Sequence, residues 1–190
     1  ADGGRAAFER ATGRRFLAPA TATTRYYPPP ANYPSMLEID ETVAITSVSY
    51  QPTGSTATSY TLNMDYLTFP ANALESGLTP GDQGYKPINS LRLIRRFIMP
   101  TSWSMENAFV VVARFGYGTV LPGDVWNAML FAGARELAEA LGYSVTGGRT
   151  GYTDTGISET FGTQWSDLAK SWDTRYARAV TRWKNPRGIF

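Results

Sequence analysis

Apolar and polar positions alternate along this chain with two different periods, and clusters of Pro, Gly and Thr mark where one period gives way to the other. Over Arg5 to Thr12, Ala6, Ala7, Phe8 and Ala11 are apolar while Glu9 and Arg10 are polar, which predicts the end of a short helix with Gly13 as its stop. Pro19 to Pro34 holds Pro28-Pro29-Pro30, Pro34 and several Thr. Proline has no amide proton to offer a helix interior or a central strand, so an extended connector is predicted there.

From Met36 the period is two. Leu37 and Ile39, then Val43, Ile45 and Val48, then Tyr60, Leu62, Met64 and Tyr66 alternate with polar residues, as half-buried strands do. In Leu91 to Ile98, Leu91, Leu93 and Phe97 take one face and Arg92 and Arg96 the other. Ala108 to Phe115, with Val110-Val111-Val112, is apolar on both faces and is expected near a sheet centre. Together these segments predict an antiparallel sheet of about five strands. Asp40-Glu41 and Pro52 to Ser55 are the expected turns, and Pro70 to Pro87 a long loop.

After Pro122-Gly123-Asp124 the period becomes helical as far as Leu141, with Gly142 as the expected stop. Val125, Trp126, Ala128, Met129, Leu130, Phe131 and Ala132 make the first turns apolar nearly all round, which predicts a helix buried on most sides. Gly142 to Gly162, rich in Gly, Thr and Ser, is expected to be a flexible loop or arm. The final helix, about Thr163 to Lys184, sets Trp165, Leu168, Trp172, Tyr176, Ala179 and Trp183 in one apolar stripe. Arg175, Arg178 and Arg182 form a basic row a quarter turn away, and Ile189 and Phe190 are left as an apolar tip. The predicted class is α+β: a helical core with an inserted antiparallel β segment. It is read as a helix end over 1–16, connector and β segment over 17–118, a buried helix over 119–142, a loop or arm over 143–162, and a C-terminal helix and tail over 163–190.

Composition narrows the chemistry. At 190 residues the chain is long enough for a real core, burying roughly 70% of its unfolded surface. Charged residues are 18%, below the roughly 25% of an average domain, so much of the surface is neutral or covered by a partner. The net charge of +2 implies no general attraction for nucleic acid or anionic membranes. With no Cys and no His, disulfides, thiolate nucleophiles, imidazole bases and the commonest zinc ligands are all missing. No apolar run approaches the roughly 20 residues of a membrane span, and the polar start lacks the apolar region of a secretory signal.

An enzyme would have to use carboxylates, Tyr, Ser, Thr or one of Lys86, Lys170 and Lys184. Glu136 and Glu139, with Arg135, could share a cation, but three residues apart on a helix they are better read as a solvated face. Asp65 beside Tyr66 sits where Asp commonly caps or turns. Gly116-Tyr117-Gly118 matches neither dinucleotide-binding nor P-loop spacing and is read as a turn. The row Arg175, Arg178, Arg182 could meet phosphates, though interface ion pairs are the commoner use of such arginines. Tyr26, Tyr27, Tyr33, Tyr117 and Tyr152 could serve as stacking platforms of a carbohydrate-binding module, the alternative from a different class.

Several segments, in order, resemble head-to-tail adaptor (connector) proteins of tailed bacteriophages. They are Thr12-Gly13-Arg14-Arg15-Phe16 after a helix, Leu37-Glu38-Ile39-Asp40, and Asp65-Tyr66-Leu67 with Pro70-Ala71-Asn72-Ala73. The strongest likeness is Val110 to Tyr117 followed by Val120, Pro122, Val125 and Ala128: a strand, the turn Phe115-Gly116-Tyr117, a Pro and a buried Ala-rich helix. The likeness covers roughly residues 6 to 141, with a looser echo at Gly156 to Glu159. It implies a virion protein of the neck, assembled in the host cytoplasm, without cofactor or metal. Its implied partners are identical subunits in a ring of about twelve, the portal protein, a stopper or tail-completion protein, and genomic DNA passing through the lumen. A tail-terminator or stopper ring of the same neck is the nearest alternative. The resemblance and the aromatic stripe together mark Trp165, Trp172, Arg175, Tyr176, Arg178, Arg182, Trp183, Ile189 and Phe190 as the expected subunit or portal interface.

Overall fold

The computed structural model describes residues 2–30, 36–52, 56–74, 77–80, 82–95, 108–146, 151–154, 157–160 and 164–185. The fold is α+β, with three helices and a six-stranded antiparallel sheet among the described residues. The chain forms two compact units: Arg14–Leu121 is one, and Ala1–Gly13 joins Pro122–Phe190 in the other.

The sheet unit contains β1 (Thr23–Tyr27), β2 (Met36–Tyr50), β3 (Thr58–Tyr60), β4 (Tyr66–Phe69), β5 (Ile88–Leu93) and β6 (Phe109–Phe115). The order is β1-β6-β2-β5-β4, with β3 also paired to β2. β6 lies inside the sheet, as its Val run predicts. One of its faces is fully buried through Phe109, Val111, Ala113 and Phe115, while Val110, Val112 and Arg114 on the other are only half-buried.

Four expectations are corrected here. The connector contains a strand, β1, pairing Thr23 to Tyr27 with Ala113 to Phe109. Its place is the sheet edge, the position compatible with the Pro28-Pro29-Pro30 run that follows it. Asp40-Glu41 is not a turn but lies within the 15-residue β2. Its charges are met by neighbours: Asp40 takes a hydrogen bond from the Tyr27 hydroxyl at 2.6 Å and pairs with Arg25, and Glu41 pairs with Arg14 at 2.8 Å. The register of β2 against β5 shifts between Glu38 and Thr42, so the dipeptide marks an irregularity rather than a reversal. The run Tyr60 to Tyr66 is two strands joined by a turn. Asp65 accepts the Thr61 amide at 2.8 Å, Thr61 O accepts the Asp65 amide at 2.8 Å, and Asn63 takes φ 66°. Local Asx chemistry overrides the alternation and leaves Leu62 and Met64 exposed. Strand β5 starts at Ile88, earlier than read; Arg96, Phe97 and Ile98 lie outside the described residues.

The helical unit holds α1 (Asp2–Thr12), α2 (Gly123–Thr146), a hairpin of β7 (Gly151–Asp154) and β8 (Ile157–Thr160), and α3 (Gln164–Trp183). α1 ends as predicted, with Gly13 at φ 65°. Two features of 142–162 depart from expectation: α2 runs through Gly142 to Thr146, and a hairpin follows where a loop or arm was predicted. Glycine lowers helix stability by only about 1 kcal/mol and stops a helix only where the chain turns left-handed. α2 and α3 run antiparallel along each other, with Arg135 bonded to Asp173 at 2.8 Å midway along both and Trp183 Nε1 donating to Asp124 at 3.1 Å at one end. α1 closes the bundle: a Cβ at Gly4 would lie 2.8 Å from Met129 O, and Phe8 meets Tyr176 edge-on at 5.7 Å.

Candidate assembly interface

In a helical bundle the inward positions of each helix are apolar and the outward ones charged. α3 obeys this. Ala169 is buried, Trp172, Tyr176, Ala179, Val180 and Trp183 are half-buried, and Lys170, Asp173, Arg175, Arg178 and Arg182 are exposed. α2 does not. Val125, Ala128, Met129 and Ala138 are its buried side, yet Trp126, Leu130, Leu137 and Leu141 are 49%, 52%, 60% and 39% exposed. Spaced by four, seven and four residues, these four share one face. The all-round apolar pattern therefore means two apolar faces, one packed and one open, and the helix is not buried on most sides.

Full burial of a Leu or Trp is worth about 1.5–3 kcal/mol, so each of these half-exposed side chains forgoes roughly 1 kcal/mol by facing water. Contiguous exposed apolar surface of this kind marks binding faces. The other exposed positions of this face are Gly123, Asn127, Gly133 and Ala140, and Glu136 at the rim is the single charge among them. α1 is also unusual outside. Gly3, Ala6, Ala7 and Ala11 are exposed, with Arg10 as the one charge among these exposed residues.

The residues expected at an interface fall into distinct places. Tyr176 packs on Phe8, and Trp183 bonds Asp124, so both hold the bundle itself together. Trp172 is half-buried on the same stripe; Trp165 lies on α3, its side chain outside the described set. Arg182 is bridged to Asp124 at 3.1 Å and Arg175 stands 5.5 Å over the Phe131 ring, while Arg178 is exposed. Ile189 and Phe190 lie outside the described residues.

The turn residues belong to the core of their units. Phe115 is buried beneath Arg25, whose guanidinium stands 4.4 Å from the ring centroid. A Cβ at Gly116 would lie 2.6 Å from Ala18 N, so the backbones there approach too closely for any side chain. Tyr117 is buried against Phe16 and Tyr85, with Arg14 5.5 Å from its ring. Pro122 O accepts the Trp126 amide at 2.9 Å, opening α2, where Val125 and Ala128 are buried.

Among the described residues no group of three or more His, Cys, Asp or Glu could hold a metal ion. Asp65 caps its turn and lies 3.8 Å from Arg95, while burial raises the Tyr66 hydroxyl above its ordinary range. Of the tyrosines considered for stacking, Tyr26 is exposed, Tyr27 is bonded to Asp40 and Tyr117 is buried; Tyr33 and the Tyr152 side chain lie outside the described set. Among the described residues no helix is long and apolar enough to cross a membrane. Sequence reading missed the open face of α2 because an apolar period with no polar gap hides which side is packed. The signal that could have found it is the spacing of the large residues, Trp126, Leu130, Leu137 and Leu141, against the small ones, Ala128 and Ala138. No protein-family model, curated protein or solved structure matches this chain.

Proposed function

We propose that this chain is a non-enzymatic structural protein of a tailed-phage virion, a head-to-tail adaptor. Identical subunits form a ring of about twelve beneath the portal protein. The ring extends the channel through which genomic DNA passes, without base-specific reading, and offers a docking face to a stopper or tail-completion protein. The chain assembles in the host cytoplasm and ends in the virion neck.

One observation supports this reading most: the open, nearly charge-free face of α2. A subunit that spends its working life clasped by copies needs large apolar lateral contacts, and such contacts are depleted in charge at their centre. The low charged fraction of the whole chain agrees with that requirement. Imaging of purified virions carrying an antibody label on this chain tests the reading. Label in a ring between capsid vertex and tail is the expected result; virions whose necks carry no label would overturn it.

A further inference from the structure

The helical unit carries two outward faces that lack the charges of an ordinary surface helix, and they are opposite in character. The α2 face is built of large side chains, Trp126, Leu130, Leu137 and Leu141, with one charge at its rim, the acidic Glu136. The α1 face is built of small residues, Gly3, Ala6, Ala7 and Ala11, with one exposed charge, the basic Arg10. Large meets small, and acid meets base. α1 has 11 residues and spans about 16 Å, while the α2 face from Trp126 to Leu141 runs about 22 Å, so α1 covers most of that face and not all of it.

We infer that α2 of one copy of this chain docks on α1 of the next, its Trp and Leu side chains seated over the alanines and Glu136 meeting Arg10. The occupant of the α2 face is thus a second copy. Small residues let helix axes approach and give projecting side chains a groove to enter. Because the two patches differ, the contact is heterologous: each copy offers one patch to a neighbour on either side, and a rotation that closes gives a ring. The inference deepens the ring reading and rests on it for its biological setting, but the contact itself is testable on the purified chain.

Sedimentation velocity over a concentration series up to several hundred micromolar is the measurement, on the full chain. The wild type is expected to self-associate. Arg10→Glu and Glu136→Arg each set like charges face to face and are expected to weaken association about tenfold or more. An equimolar mixture of the two single variants is expected to associate again to within about threefold of wild type, since every contact in an alternating assembly then pairs opposite charges. Both residues are exposed, and circular dichroism checks that each variant folds. Leu137→Glu is expected to abolish association.

A wild type that stays monomeric throughout would overturn the inference, as would reversals that leave association unchanged. Association lost in Leu137→Glu but indifferent to Arg10→Glu would mean that α2 pairs with α2, and would overturn it too. None of these results removes the label expected at the virion neck, so the adaptor reading stands or falls separately.

Discussion

Gly116 and Gly133 answer the same substitution in opposite ways. At Gly116 an added methyl would lie 2.6 Å from Ala18 N and 2.7 Å from Ala18 Cα, both backbone atoms that cannot swing aside. Gly116→Ala is expected to cost about 2–4 kcal/mol. Gly133 sits in the α2 interior with nothing within 4 Å of the methyl, so Gly133→Ala is expected to raise stability by about 1 kcal/mol. Urea unfolding of the two variants beside wild type reads both signs. The tyrosines set a second residue-scale property. Tyr27, Tyr50, Tyr60, Tyr66, Tyr85 and Tyr176 are all pushed upward, burial being the largest cause in each, with the bond to Asp40 adding to it at Tyr27. The unfolded chain releases these protons near pH 10 and the folded one holds them longer, so folding stability is intact below about pH 10 and falls as pH rises beyond it. Unfolding free energies measured from pH 8 to pH 11 should fall only in the upper part of that range, less steeply in Tyr27→Phe. A fall beginning near neutrality would contradict this, since the chain has no His or Cys to titrate there.

At the scale of elements, what was legible in the sequence depended on whether one local rule acted alone. α3 was readable to within about a residue, and α1 at its C-terminal end though not at its start, because period, stop signal and polarity agree there. β6 was readable as an inner strand from its Val run. Asp40-Glu41 misleads because Arg25 and Tyr27, which meet Asp40, come from a segment whose prolines hide a strand, and Arg14, which meets Glu41, comes from ahead of that segment. Only long-range pairing turns two adjacent carboxylates from a turn signal into strand residues. Thr42, next in line, is fully buried and donates to Arg114 O at 2.8 Å, which again needs a partner 72 residues away. The hairpin β7–β8 is hidden for another reason: its strands have four residues each, too few for an apolar alternation to show, and backbone pairing defines them. The candidate face on α2 was legible as apolar but not as open, because the packing of α1 and α3 decides which side of α2 is free.

For the whole molecule the division into units carries its own prediction. Arg14–Leu121 is continuous in sequence and owns a complete core, including Leu37, Val48, Leu91, Phe109 and Phe115. A fragment of residues 14–121 is therefore expected to fold alone, with a β-type circular dichroism spectrum and a cooperative thermal transition; a gradual, featureless melt would count against it.

The other unit is interrupted, since its first helix and its remaining parts are separated by that whole insertion. An 11-residue helix is too short to persist unaided, so α1 leaves the ribosome unfolded and waits. At about 5–20 residues per second the intervening sheet is synthesised over roughly 5–20 s, time enough to close its core before any docking site for α1 exists. Biosynthesis thus imposes an order of events: the sheet matures first, and the bundle of α1, α2 and α3 is completed last.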